Sequence, residues 1–325
     1  MAIISNISKA SDLETTHEQT RKGFIEAAME KNKRSQPFIE NARTLRTFAM
    51  KASTPHELLD IPEIQKRLLT ASGLSDKAMK HFNNDDKVAA IKELIERFLV
   101  PAGADFVDEL VYRYLLISGD SLGGKMRNIV GAVAQMKLVR KLLSVMDMQQ
   151  IDHQILLKED KKRKYNWRKM DYSDAYERAD EISAITWEYA GMKKVLFFNA
   201  KIALVNNNVD ICLYDCSNVP FTSKMAKEHN DCAIMFGELK GGIDPAGADE
   251  HWKTGNSALE RIRGAFTSKG YKIHTSFIAA AIEKKMAKEI FRQISDKTLS
   301  YAINLTYDNQ LCDYCNWLIK MEKKQ

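Results

Sequence analysis

The chain has 325 residues, 45% of them hydrophobic and 28% charged, with 15 Gly and 6 Pro. At roughly 150 residues per domain this suits two domains with a real core, and it excludes collagen-like, low-complexity and wholly disordered chains. The longest apolar stretches, such as Phe277 to Ile282, are far shorter than the roughly 20 residues of a membrane-spanning helix, and Met1 to Asp12 lacks the charged start and apolar run of a secretory signal. No membrane partner and a cytoplasmic location are therefore expected. The 49 basic and 43 acidic residues leave a formal charge of +6, which permits a polyanionic partner without requiring one.

From residue 12 to about 150 the apolar pattern is helical. Val88, Ile91, Leu94, Ile95, Phe98 and Leu99 fall on one helical face. Ser53-Thr54-Pro55 followed by His56-Glu57 predicts a helix start, with a cap, a first-turn proline and an early acid. Breaks are expected at Gly73, at Pro101-Ala102-Gly103, and at Ser118-Gly119-Asp120 with Gly123-Gly124. The first third is thus a helical bundle, with a boundary placed between residues 118 and 119. Between Lys158 and Lys169, seven basic and two acidic residues are interleaved with Tyr165 and Trp167; the run suits a phosphate backbone or a solvated connection equally well.

After about residue 182 the pattern shortens to strand-like runs at 182–187, 195–198, 202–205 and 209–214. A further strand over 232–239, a helix over 248–266, a buried strand over 273–282 and a helix over 284–294 follow. This order predicts a mixed sheet with helices, one of them running from Gly123 to about Val145. Five cysteines, an odd number in a chain with a large core, predict free thiols. Cys312-x-x-Cys315 has no second pair to complete a structural zinc site.

Asp210 sits in one predicted strand and Glu238-Leu239-Lys240 ends another. Side chains two apart on a strand share a face, so Glu238 and Lys240 point together. Two carboxylates and an ammonium on adjacent strands are what a magnesium-dependent phosphodiesterase needs: the acids hold a hard cation, and the lysine orients water and offsets developing charge. An exposed strand end with an ion pair has the same spelling. Gly237, Gly241 and Gly242 flank the motif and mark a place where another backbone, such as that of DNA, can approach. His251 opens the next helix and is a candidate general base because imidazole titrates near neutrality; a helix-start histidine bonded to a nearby acid is the alternative.

The run from Gly237 through Glu238, Lys240, Asp244 and His251 to Thr254 resembles the active-site segment of the AvaI/BsoBI family of type II restriction endonucleases. Asn208-Val209-Asp210-Ile211-Cys212-Leu213 resembles that family's strand with a metal-binding aspartate, and Gly119-Asp120-Ser121-Leu122-Gly123-Gly124 with Met126-Arg127-Asn128 resembles its glycine-rich helix start. The similarity extends to Glu30 to Ser35 and to Pro101 to Leu116, and so covers most of the chain.

The resemblance implies an α/β (α+β) restriction-endonuclease-like PD-(D/E)xK fold. A mixed sheet flanked by helices would form the catalytic domain at 119–325, beside an N-terminal helical domain at 1–118 that embraces DNA. It implies a bacterial, cytoplasmic homodimer that uses Mg2+ to cut double-stranded DNA at CYCGRG after the first C, leaving four-base 5′ extensions. A cognate methyltransferase would protect the host genome. Asp210, Glu238 and Lys240 match the catalytic set, the two acids being the metal ligands, and His251 matches the base. Asp244, Lys77 and Arg127 match DNA-contacting positions; from the residues alone, Lys77 lies in an ordinary helix start, and for Asp120, Ser121 and Arg127 a structural helix cap fits as well as a DNA contact. The competing expectations are a PD-(D/E)xK repair or mobile-element nuclease without palindromic specificity, and a non-catalytic DNA-binding protein.

Overall fold

The computed structural model describes residues 7–75, 77–161, 166–216 and 229–323, with the side chains of Arg127, Asn128 and Lys161 outside that description. The chain forms two compact units, Met1–Phe24 with Val130–Gln325, and Ile25–Ile129. Both junctions fall inside long helices, α1 (His17–Ala49) and α4 (Phe106–Met148). The first residues therefore go with the later part of the chain, and the expected 118/119 boundary lies within α4.

The second unit also holds α2 (Gln65–Ala71) and α3 (Asn84–Leu94). Its core gathers Leu45, Leu58, Ile64, Leu68, Ile95, Leu99 and Leu110. The start read at Ser53-Thr54-Pro55 is present, but Thr54 at the N-cap makes no side-chain capping bond; instead Glu57 accepts from the Ser53 N–H at 2.7 Å and the Thr54 hydroxyl at 3.1 Å. This segment starts a short 3-10 helix, Pro55–Asp60. Gly73, at φ 94°, turns the chain after α2. Val88 and Phe98 depart from expectation, being 44% and 40% exposed; the Phe98 ring lies beneath the Arg113 guanidinium, 3.7 Å away. Nor does the chain break at residues 118–124, because α4 runs through them. A mid-helix glycine costs only about 1 kcal/mol relative to alanine, and buried Ser118 and Leu122 hold this stretch against its neighbours.

The first unit is built on one seven-stranded sheet in chain order: β1 (His153–Leu157), β2 (Ile182–Tyr189), β3 (Met192–Ile202), β4 (Asn207–Asp215), β5 (Ala233–Lys240), β6 (His274–Ala279) and β7 (Tyr301–Asn304). Strands β1 to β5 pair antiparallel, and β5, β6 and β7 pair parallel. Connection lengths explain the change of sense. Ala190 and Gly191 make a two-residue turn with φ of 51° and 76°, as tight antiparallel hairpins require. The parallel strands are joined through α7 (Ala248–Thr267) and α8 (Lys284–Ser295), and α9 (Asp308–Lys320) follows β7. Two short helices, α5 (Lys158–Lys161) and α6 (Tyr172–Glu177), fill the β1–β2 connection. The strand expected over 202–205 is instead the end of β3 and a turn in which Asn206 has φ 54°.

On α4, Ala134, Leu138, Val139, Leu142, Leu143 and Met146 join the core of this unit. On α7 the apolar stripe is Ala248, Trp252, Gly255, Leu259, Ile262 and Phe266, a helical repeat with one face inward. The Trp252 ring meets Phe277 of β6 edge-on, with centroids 5.0 Å apart. Near the N-terminus, Asn304 Nδ2 donates to the Leu13 carbonyl at 2.9 Å and to Thr15 Oγ1 at 2.7 Å, which fastens the first residues to the end of β7.

The described part of the basic run is held by the protein itself. Lys158 donates to the Asp180 carbonyl at 2.6 Å, Arg168 pairs with Asp160 at 2.7 Å and Lys169 with Asp152 at 2.7 Å, while Trp167 packs against the core. These contacts favour a structural edge over a phosphate track. Residues 162–165, with Tyr165, lie outside the described residues. Cys315 is fully buried on α9, and burial pushes its thiol well above the usual range.

Candidate active site

Strand β5 is buried through Glu238 and opens only at Leu239 and Lys240, where its end meets β4. The antiparallel ladder pairs Ile211 with Gly237, and the next positions outward are Asp210 and Glu238. There a side chain takes over from the ladder: Asp210 Oδ2 accepts from the Leu239 N–H at 2.8 Å. The bond orients the Asp210 carboxylate toward the side on which Glu238 and Lys240 project.

Glu238 is 6% exposed. Lys240 Nζ donates to its Oε2 at 2.7 Å and stands 4.0 Å from Asp210 Oδ2. Burial, and next the charge of Asp210, push the Glu238 carboxyl above its usual range, and Lys240 only partly offsets them. Asp210 Oδ1 and Glu238 Oε1 accept no hydrogen bond among the described residues. One oxygen of each acid is thus left for a hard cation, and a cation there would relieve the like-charge repulsion that the fold builds in. The donor set fits a divalent metal with oxygen ligands.

The glycines around the motif are spaces filled by the protein's own atoms, contrary to the expected approach of DNA. A Cβ on Gly237 would stand 2.5 Å from Ser276 Oγ, one on Gly241 2.5 Å from the Val130 carbonyl of α4, and one on Gly242 2.5 Å from His251 Cε1. His251 therefore lies against the loop that follows Lys240. Burial, and next the charge of Lys240, lower its pKa, with Glu250 and Asp244 acting the other way. A lowered pKa leaves the imidazole neutral, and so able to accept a proton, at neutral pH.

Asp244 caps a 3-10 turn over Pro245–Gly247, its Oδ1 accepting from the Ala246 N–H at 3.0 Å. Asp244 therefore shapes this Asp-Pro turn, and the residue is also exposed. Lys77 is an exposed N-cap of a short 3-10 helix, Ala78–His81, in the second unit; its neighbour Asp76 is outside the described residues. The backbone of Arg127 is in the middle of α4, also in the second unit. The expected helix cap around Asp120, Ser121 and Arg127 is absent because the helix continues there.

A cleft of about 550 Å³ contains Asp210, Glu238 and Lys240. Thr254, Ala258 and Arg261 of α7 line it, as do Lys201 and Asn206 to Asn208 around the β3–β4 turn. Arg261 and Lys201 escaped sequence reasoning. The available signal was the i, i+4, i+7 spacing of residues 254, 258 and 261, which puts them on one helical face beside the apolar stripe. His251 is not among the residues lining this cleft.

The family described as restriction endonuclease BsobI matches residues 4–321. The chain is 48% identical to the type II restriction enzyme BsoBI of Geobacillus stearothermophilus, over 98% of both chains. It is 41% identical to the type II restriction enzyme AvaI of Nostoc sp., over 97% of this chain and 98% of that one. With a match of this extent and a paired acid, acid and lysine at the strand ends, the chain belongs to the BsoBI family of restriction endonucleases.

Proposed function

We propose that this restriction endonuclease hydrolyses both strands of duplex DNA at a magnesium-dependent site formed by Asp210, Glu238 and Lys240, one site per subunit of a cytoplasmic homodimer. The observation that carries the reading is the juxtaposition of Asp210 and Glu238 at the β4–β5 junction, each with one oxygen unclaimed among the described residues, beside an ammonium 2.7 Å from one acid and 4.0 Å from the other. Asp210 and Glu238 would hold the metal, which when bound supplies Lewis acidity toward the scissile phosphate. Lys240 carries positive charge to the place where the attacking and leaving oxygens gain negative charge. His251, neutral at physiological pH, takes a proton from the attacking water.

The recognition sequence implied by the family resemblance is CYCGRG, cut after the first C to leave four-base 5′ extensions, with a methyltransferase protecting the host. A two-fold symmetric dimer matches a palindrome cut at equivalent bonds. Asp244, Lys77 and Arg127 are the proposed DNA contacts. An ionised carboxylate can only accept hydrogen bonds, which suits Asp244 to a cytosine amino group and not to the guanine edge.

Digestion of DNA of known sequence, with cut ends mapped, tests this directly. Discrete cuts at CYCGRG that need Mg2+ and stop in EDTA are expected. Lys240→Ala should bind the duplex and cut at least about a hundred-fold more slowly. Near-normal cutting by that variant, or full activity in EDTA, would overturn the site assignment.

A further inference from the structure

The cleft has two walls, and each carries a cation that the proposed chemistry does not use. Arg261 stands on the α7 wall and Lys201 at the end of β3 on the other, with the Asn206 to Asn208 amides beside it. Among the described residues, neither Arg261 nor Lys201 makes an ion pair or a side-chain hydrogen bond. Elsewhere in this unit, cations at the surface have found acids, as Arg178 has with Glu181 and Lys253 with Asp249. Arg261 is close enough to lower the pKa of Glu238, yet among the described residues no acid comes within pairing distance of it.

Three further features point to an anion between these walls. Lys240 is occupied by Glu238 at 2.7 Å, so it is not available to neighbouring phosphates. Ala258 lies one turn before Arg261 on the same face and brings only a methyl group to the cleft. The cleft is lined by three cations and two carboxylates, and the carboxylates would be neutralised by the metal they hold, leaving an excess of positive charge at the walls. A guanidinium presents several N–H donors in a planar fork that suits two oxygens of one phosphate.

We propose that Arg261 is a phosphate-positioning residue, gripping a non-scissile phosphate of the strand being cut, with Lys201 supplying the opposite bank of the channel. The inference rests on the reading of Asp210, Glu238 and Lys240 as the cleavage site. Arg261 would set the register of the backbone, so that the scissile phosphate falls at those three groups, and would carry no base preference. Its loss should therefore weaken binding equally on cognate and unrelated duplexes and slow the chemical step through misplacement.

The test combines Arg261→Ala with duplexes in which single linkages around the cut are replaced by neutral methylphosphonates, in single-turnover cleavage at saturating enzyme. Wild-type enzyme should lose about ten- to a hundred-fold in rate at one flanking linkage, the scale of a hydrogen bond to a charged group, and Arg261→Ala should lose no more there. In binding with Ca2+ in place of Mg2+, the variant's dependence of log affinity on log salt should flatten by about 0.9, one phosphate contact. Arg261→Lys should restore the salt dependence and only part of the rate. If each methylphosphonate slows Arg261→Ala by the same factor as wild type, or if the variant cuts like wild type, the inference is overturned. A Lys240→Ala control separates the two readings: a dead control with unaffected Arg261→Ala refutes only the phosphate contact, whereas an active control refutes the cleavage site beneath it.

Discussion

Lys194, near the start of β3, is 0% exposed. Its Nζ donates to the Ile319 carbonyl at 2.8 Å, and Trp187 Nε1 donates to the same oxygen at 3.3 Å. Ile319 is in the last turn of α9, where carbonyls have no partner within the helix, so the amine ties the end of the last helix to the sheet. Burial lowers the ammonium pKa from 10.5 to about 8, against smaller opposing effects of Glu322 and Asp215. The unfolded chain holds this proton to higher pH than the folded one does. Stability should therefore rise as pH increases from about 8 to 10.5, and the penalty is fully present below about 8. Those two values correspond to about 3 kcal/mol, and the lost hydrogen bond in a variant costs about 1 kcal/mol. Lys194→Met keeps the apolar stem and removes the charge. It should be more stable than wild type by about 2 kcal/mol at pH 7 and less stable by about 1 kcal/mol above pH 10.5. Urea unfolding followed by circular dichroism across this range reads the difference, in which groups common to both proteins cancel. A stability difference that does not change with pH, or a variant less stable at pH 7, would refute the reasoning.

Gly241→Ala sets a Cβ against the Val130 carbonyl and should cost about 1–3 kcal/mol of stability; its cleavage rate should fall with DNA binding kept, and unchanged turnover would show that the end of β5 is not held there. If His251 is the base, wild-type single-turnover rates should fall only below about pH 6.5, because its pKa is lowered from that value, and His251→Ala should lose the rate and the acid limb together; an unaltered profile refutes the role. If Asp244 reads a cytosine, Asp244→Asn keeps an acceptor for the Ala246 N–H but sets an amide donor against the base's amino group. Its binding loss of about 1–3 kcal/mol should be confined to duplexes that carry the cytosine it reads, and equal losses on every sequence would contradict base reading.

Residues with a local signal were legible in the sequence. Glu238 and Lys240 share a face by strand alternation, and the stripe from Ala248 to Phe266 has the helical period. The misses have a common cause, burial set by distant partners. β1 and β7 are only five and four residues long, too short to show a period, and become strands because β2 and β6 offer them edges. The glycines at 119, 123 and 124 read as breaks, yet they sit in a helix whose packing overrides their weak preference. Gly237, Gly241 and Gly242 were legible as close approaches, but not what approaches: Ser276, Val130 and His251. The cleft cations stayed hidden because Lys201 and Arg261 come to one cleft only through the fold.

The loop that leaves Lys240 is braced by both helices that run on into the second unit. Gly241 lies against Val130 of α4, and Gly23 of α1 lies against the Ile243 side chain, so close that a Cβ at either glycine would overlap its neighbour. Such contacts leave no compressible space between helix and loop. The same loop carries Asp244 at its end and has the His251 ring on Gly242. Residues 241–243 are thus packed against α1 and α4 immediately after the end of β5, where Lys240 bridges the two acids. Glycine fits both positions for that reason: a Cβ at 23 would require the Ile243 side chain to shift and one at 241 would meet the Val130 backbone, beside a lysine that stands at hydrogen-bonding and ion-pair distances from Glu238 and Asp210.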